Sequence, residues 1–119
     1  MIRECEVKYR LSSELPALAI ELSYIKDEND IYKAIECLTG YTRTLIREDR
    51  INEVEQCFET AYELLHKGNR LVQLAVENIF IYSVSKCLEI SLSATQPVRK
   101  LFLKNFGKEY YKLINSRNP

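Results

Sequence analysis

At 119 residues, 46% hydrophobic and 29% charged, the chain can bury a core without disulfide or metal support. Its make-up is that of a globular protein rather than a disordered or fibrous one. A formal net charge of zero speaks against the basic footprint of nucleic-acid-binding domains, and three Gly and three Pro leave few turn positions, favouring a few long helices over many short strands.

The neutrality hides a division. Residues 1–63 hold 8 Lys/Arg against 14 Asp/Glu, a net of −6, and residues 64–119 hold 9 against 3, a net of +6. Acids are densest at Glu48, Asp49, Glu53, Glu55, Glu59 and Glu63, and bases at Arg99, Lys100, Lys104, Lys108, Lys112 and Arg117. Either the two halves pair internally or one patch faces a charged partner. Cys5, Cys37, Cys57 and Cys87 form no C-x-x-C pair. They read as reduced thiols of a cytoplasmic protein, three of them on apolar helix faces. The N-terminal residues lack the apolar core of a secretory signal, and no run of ~18 apolar residues marks a membrane span. The expected location is the cytoplasm, with no membrane partner.

Residues 1–11 are weakly patterned. Val7, Tyr9 and Leu11 alternate, and the stretch reads as a frayed arm or an extra turn. Ser12 or Ser13 is expected to cap a helix with Pro16 in its first turn, followed by Leu15, Leu18, Ala19, Leu22 and Ile25 at helical spacing. Asp30 is the N-cap expected for a second helix, striped by Ile31, Ile35, Leu38, Tyr41, Thr42 and Leu45. Gly40 lies inside it, at about 1 kcal/mol against Ala, and suggests a close helix crossing. Asn52 is expected to cap a third helix, with Val54, Cys57, Phe58, Ala61, Leu64 and Leu65 inside and Glu53, Glu55, Glu59 and Glu63 outside. Gly68 suits a C′ position with positive φ.

Asn69 then starts a fourth helix, running to Glu89 or Ser91 and apolar on nearly every side. Such a composition calls for a helix covered over most of its circumference. Residues 91–96 read as a polar linker, and Pro97 as the N1 residue of a last helix. Val98, Leu101, Phe102, Tyr110, Leu113 and Ile114 point inward, Gly107 marks a bend, and residues 115–119 are a frayed tail. The expected fold is a single all-α domain over 1–119. It is a bundle, or short helical-repeat-like stack, of four to five antiparallel helices around the central apolar helix.

Chemical motifs are sparse. His66, the single histidine, closes a helix C-terminus, where the dipole favours it. Glu63-Leu64-Leu65-His66 spells one Glu-x-x-His, whereas di-iron bundles converge two, so a metal-binding bundle using Glu59, Glu63 and His66 is the least favoured reading. No nucleophile–histidine pair or Gly-rich phosphate loop stands out, and no cofactor is expected. Lysines every fourth residue from Lys100 to Lys112 suggest a solvated cationic face more than a nucleic-acid groove. Glu77-Asn78 interrupts the apolar helix. Asn78 and Tyr82, four apart, share a face, and with Tyr41 they suggest a polar patch between the 31–47 and 71–88 helices. The eight tyrosines suit protein interfaces.

Residues 35–67 resemble a single tetratricopeptide-type hairpin in the spacing of Leu38, Tyr41, Thr42 and Leu45 against Val54, Phe58 and Ala61, with Thr42 where a smaller residue is usual. The run Gly68-Asn69-Arg70 with Ala75-Val76-Glu77-Asn78-Ile79-Phe80-Ile81-Tyr82-Ser83, preceded by Glu55-x-x-Phe58 and Ala61, resembles an uncharacterised family of small all-helical bacterial proteins. It also has a compositional likeness to the immunity proteins of toxin systems. The function expected from these readings is non-enzymatic protein binding. An immunity protein would occlude a toxin, with Glu55, Glu59 and Glu63 mimicking a phosphate backbone. The alternative is a helical-repeat adaptor holding a peptide at Tyr41, Asn78 and Tyr82. Partner identity and oligomeric state are not legible in the chain.

Overall fold

A computed structural model describes residues 1–90 and 96–117. Among them every regular element is helical: α1 (Glu4–Glu14), a 3-10 turn (Pro16–Leu18), α2 (Ala19–Ser23), α3 (Ile31–Arg47), α4 (Ile51–Lys67), α5 (Arg70–Ile90) and α6 (Gln96–Arg117). The Cα extents are 37 × 34 × 18 Å, a slab roughly two helix diameters of about 10 Å thick. The expected linker at 91–95 and the residues 118–119 lie outside the described residues.

The N-terminus is not a frayed arm. Val7 and Leu11, one helical turn apart, are fully buried and Tyr9 is exposed, so the period is that of a helix and not of a strand. At its start the Glu6 carboxylate accepts the Arg3 N–H (3.1 Å), one half of a capping box. Ser12 caps nothing; its hydroxyl donates to the Lys8 carbonyl inside α1 (2.9 Å). Pro16 drives the preceding Leu15 out of the helical region, to φ −127° and ψ 77°. The helix expected across 12–25 is therefore split into the end of α1, the 3-10 turn and short α2. Leu15, Leu18, Leu22 and Ile25 are buried nonetheless.

Asp30 caps α3 by accepting the Lys33 N–H (3.2 Å), and the Ile31-Ile35-Leu38-Thr42-Leu45 stripe is buried. The buried Thr39 and Thr42 hydroxyls donate to the Ile35 and Leu38 carbonyls, both at 2.7 Å, which removes the penalty of burying them. The α3–α4 turn is a Schellman motif: Arg50 N–H donates to Leu45 O (3.0 Å) and Asp49 N–H to Ile46 O (3.1 Å). Asp49 occupies its left-handed position at φ 58°. Asn52 is not the cap of α4. The helix starts at Ile51, and Arg50, through its bidentate pair to Glu53 at 2.8 and 2.6 Å, sits at its head.

Gly68 does not take a positive φ; it stands at φ −74° and ψ 156°. Its lack of a side chain matters for space. A Cβ there would lie 2.4 Å from Leu64 O and 2.5 Å from Val72 Cγ1. Beside it runs the N-terminal segment: Ile2 N–H donates to Lys67 O (2.7 Å), Asn69 N–H donates to Ile2 O (2.8 Å), and the Asn69 amide also donates to the Glu4 carboxylate. Asn69 caps α5 through Val72 N–H (3.0 Å). Gly40 and Gly107 differ from Gly68, since a Cβ at either would meet nothing within 4 Å. Gly40 therefore mediates no close crossing, and α6 runs through Gly107 to Arg117, past the point where a frayed tail is expected.

Helix α5 shares the centre of the core with its neighbours: α3 packs on α1, α2, α4 and α5, α4 packs on α1, α3, α5 and α6, and α5 packs on α1, α3, α4 and α6. All four phenylalanines meet there. Phe58 (α4) contacts Phe80 (α5), Phe102 and Phe106 (α6) edge-on at centroid distances of 6.1, 6.0 and 5.7 Å, the favoured aromatic geometry. Phe106, absent from the expected inner face of α6, is fully buried.

Within α5, Val76–Ile81 is wound as a π-helix. At about 100° per residue, the buried sets Val72-Ala75-Val76 and Phe80-Val84-Cys87-Leu88 would lie roughly a third of a turn apart. The wider i→i+5 turn advances less per residue and brings them onto one face. By length and mean hydropathy (1.3) Arg70–Ile90 meets the criterion for a membrane-crossing helix, and half of that window is buried inside the fold.

Two substitutions test these joints. Gly68→Ala should lower stability by about 2–3 kcal/mol in denaturant melts, since backbone and Val72 must both move. Asp49→Gly should raise it by about 1 kcal/mol by relieving the left-handed residue.

Candidate functional site

The expected site residues are dispersed. Glu55 and Glu59 are exposed on α4. Glu63 is half-buried and ion-paired to Arg10 of α1, which also approaches Glu14 at 3.8 Å. Gln56 donates to the Glu14 carbonyl (3.0 Å) and Thr60 to its carboxylate (3.2 Å), so α1 covers that flank of α4 and the free acidic stripe shortens to Glu55 and Glu59. His66 is exposed and stacks on Tyr62 at 4.1 Å. With Glu63 engaged by Arg10, the set Glu59, Glu63 and His66 does not assemble, and among the described residues no three His, Cys, Asp or Glu side chains stand together as metal ligands.

Tyr41 is half-buried in the α3–α4 hairpin, near Cys57 and within reach of the Glu53 carboxylate; burial first, then these neighbours, raise its pKa. Helix α3 packs directly on the π segment of α5, which closes the inter-helix groove expected between residues 31–47 and 71–88. Tyr41 has Cys57 and Glu53 of α4 as neighbours, and Asn78 and Tyr82 lie on the outer side of α5, exposed and half-buried respectively.

That outer side is where the geometry leaves work undone. Along it run Leu71 (51% exposed), half-buried Leu74, exposed Asn78, half-buried Tyr82, Lys86 and Ile90 (81% exposed). The Lys86 ammonium sits 5.7 Å from the Tyr82 ring centroid and 3.5 Å from Glu89. Beside this face a cavity of about 150 Å³ opens between α5 and α6, lined by Leu88, Glu89, Arg99, Phe102, Leu103 and Tyr110 among others. A smaller one of about 50 Å³ adjoins it, sharing Ser85, Glu89 and Tyr110 and adding Tyr82, Lys86, Leu113 and Ile114. Tyr110 donates to Glu89 (3.4 Å). Burial, then the Glu89 charge, raise its pKa and keep the phenol a donor. More open depressions line α1 around Glu6 and Arg10.

An apolar floor with Tyr, Lys, Glu and Arg at its edge suits side chains of another protein. Leu71, Leu74, Lys86 and Leu103 belong to this surface and escaped sequence reasoning. The signal for them was that α5 carries more apolar residues than one buried face needs.

Among the described residues no ion pair is seen to join the acidic half to the basic half. Among the described residues, the ion pairs of residues 1–63 are Arg3–Glu6, Arg10–Glu14, Arg10–Glu63, Lys33–Asp30, Arg50–Glu48 and Arg50–Glu53. The basic half contributes Lys86–Glu89.

Two of the thiols, Cys37 and Cys57, are poor nucleophiles. Burial, with help from Glu21, pushes Cys37 up to about 11, and burial pushes Cys57 to about 11 against a bonding Thr42 hydroxyl.

Residues 9–118 match the model of a family described as a domain of unknown function, DUF7674. No curated protein and no solved structure matches the chain. With no activity to carry over, the thiol chemistry is tested on the chain itself. At pH 8 a maleimide should leave Cys37 and Cys57 unmodified while an unfolded control is fully labelled, because raising a thiol from 9.0 to about 11 leaves about a hundredfold less thiolate. By the same shift the unfolded chain loses these protons first. Stability should therefore fall as pH rises from 9.0 towards about 11.

Proposed function

The chain belongs to the DUF7674 family, and we propose that it is a non-enzymatic protein-binding module whose docking surface is the outer face of α5. One observation carries the reading. The most apolar helix of the chain has only half of its most apolar window covered by the fold, leaving Leu71, Leu74, Tyr82 and Ile90 wholly or partly open around Asn78. Apolar side chains exposed in a row with polar neighbours mark contact sites on globular proteins. Tyr82 adds a rigid amphipathic ring of the type that anchors interfaces, and the adjoining cavities can receive a partner side chain.

The specific form we put forward is an immunity-type protein that neutralises a toxin by covering its active surface. A small rigid helical body with one open face suits occlusion, and Glu55 and Glu59 add negative potential for steering a basic toxin towards it. The π segment supports the α5 reading, since such insertions occur often at functional sites.

The test compares Leu74→Glu with the unaltered chain. Both should melt within a few degrees of each other, since Leu74 is only half-buried. The altered chain should lose a captured partner at least tenfold, about 1.4 kcal/mol or more. For the immunity form, that partner expressed alone should arrest growth, and co-expression of the unaltered chain, not of Leu74→Glu, should relieve it. Capture indifferent to Leu74 would remove this face from consideration.

A further inference from the structure

Helix α6 carries a second surface, which meets the proposed docking face at Leu103. Its 22 residues extend about 33 Å. Lys100, Lys104, Lys108 and Lys112 are exposed, and no ion pair joins any of them to an acid among the described residues. By i,i+3 and i,i+4 spacing they share the outer side of the helix with Leu103 (45% exposed) and Tyr111 (59% exposed). In the middle of that group stands Gly107. A glycine in a helix interior weakens the helix, and no internal need accounts for this one. No glycine of the described residues has a positive φ, and a Cβ at Gly107 would meet nothing within 4 Å. An apparently dispensable glycine flanked by an exposed leucine, a tyrosine and lysines lets another backbone or side chain come close.

The acids that match these lysines are in the same chain. Glu55 and Glu59 are exposed on α4, again without an ion pair among the described residues, and Tyr62 lies exposed beside them. Helices α4 and α6 are packed together through Phe58, Phe102 and Phe106, so their outer faces flank one seam.

We propose that this seam is a self-association surface, in which α6 of one copy lies on α4 of a second copy and the reverse. A two-fold axis across the seam makes a surface with one acidic and one basic edge complementary to itself. The division of charge into −6 and +6, with no ion pair seen between the halves among the described residues, then has its counterpart in the second copy. Leu103, Tyr62 and Tyr111 supply the contact area that charge alone does not. This proposal goes beyond the α5 reading and is tested separately from it, because pure chain is the only reagent needed, although the two surfaces share Leu103 and the acids Glu55 and Glu59.

Sedimentation equilibrium in about 50 mM salt should show a monomer–dimer equilibrium that weakens at about 0.5 M salt. Lys104→Glu with Lys108→Glu should weaken it at least tenfold, and so should Glu55→Lys with Glu59→Lys. Mixing the two altered chains should restore a dimer containing one of each. Gly107→Ala should raise the melting temperature of the monomer by roughly 3–5 °C while weakening the dimer, a split that a purely structural glycine would not produce. A chain that stays monomeric to about 1 mM in low salt overturns the proposal. So does a dimer unaffected by the charge exchanges, or a mixture that fails to pair.

Discussion

The fold depends on the two residues between α4 and α5. Gly68 is hemmed in by Leu64 O and Val72, and Ile2 bridges its flanks with two backbone hydrogen bonds. The place where α4 stops and α5 starts therefore has little freedom. That placement sets the rotation of α5 about its axis, and the rotation decides which side chains reach the core. Phe80 then meets Phe58 and Phe106, and through them α6 is held against α4. A chain entering α5 at a different angle would turn Phe80 out of this cluster and leave the long last helix without its main contact.

The π segment is the second half of the same solution. The apolar residues of α5 come in two sets out of phase at ordinary helical pitch. A continuous α-helix would bury one set and expose part of the other. Widening the turn over Val76–Ile81 aligns them and puts Glu77 and Asn78, the polar interruption, on the side away from the phenylalanines. The outer apolar residues Leu71, Leu74 and Ile90 are what remains once the inner face is complete. They stand outside the buried core cluster, which is why they carry the functional proposal.

Charge plays a different part from packing. The ion pairs present join residues near in sequence or tie α1 to α4, and surface pairs of this sort contribute little to stability. The fold is thus set by apolar contacts and backbone geometry. Glu55 and Glu59 of α4 and the lysines of α6 take no part in the ion pairs found among the described residues.

Much was legible in the chain alone, because helices announce themselves through local rules. The all-α class, the buried stripes of α3 and α4, the cap at Asp30 and the start of α5 at Asn69 all follow from spacing over a few residues. What local rules could not reach was decided by contacts distant in sequence. Residues 1–11 have too little pattern of their own to read as a helix, yet they order because Ile2 bonds at Gly68 and Val7 and Leu11 enter the core. Glu63 looks like its neighbours Glu55 and Glu59 until α1 brings Arg10 beside it. Tyr41 shares a helical pattern with any groove residue until α4 closes over it, and Gly68 looks like a turn glycine until the space for a Cβ proves to be occupied. Periodicity says which face of a helix is apolar. Only the packing of one helix on another says which apolar face is covered, and the uncovered one on α5 is where function is sought.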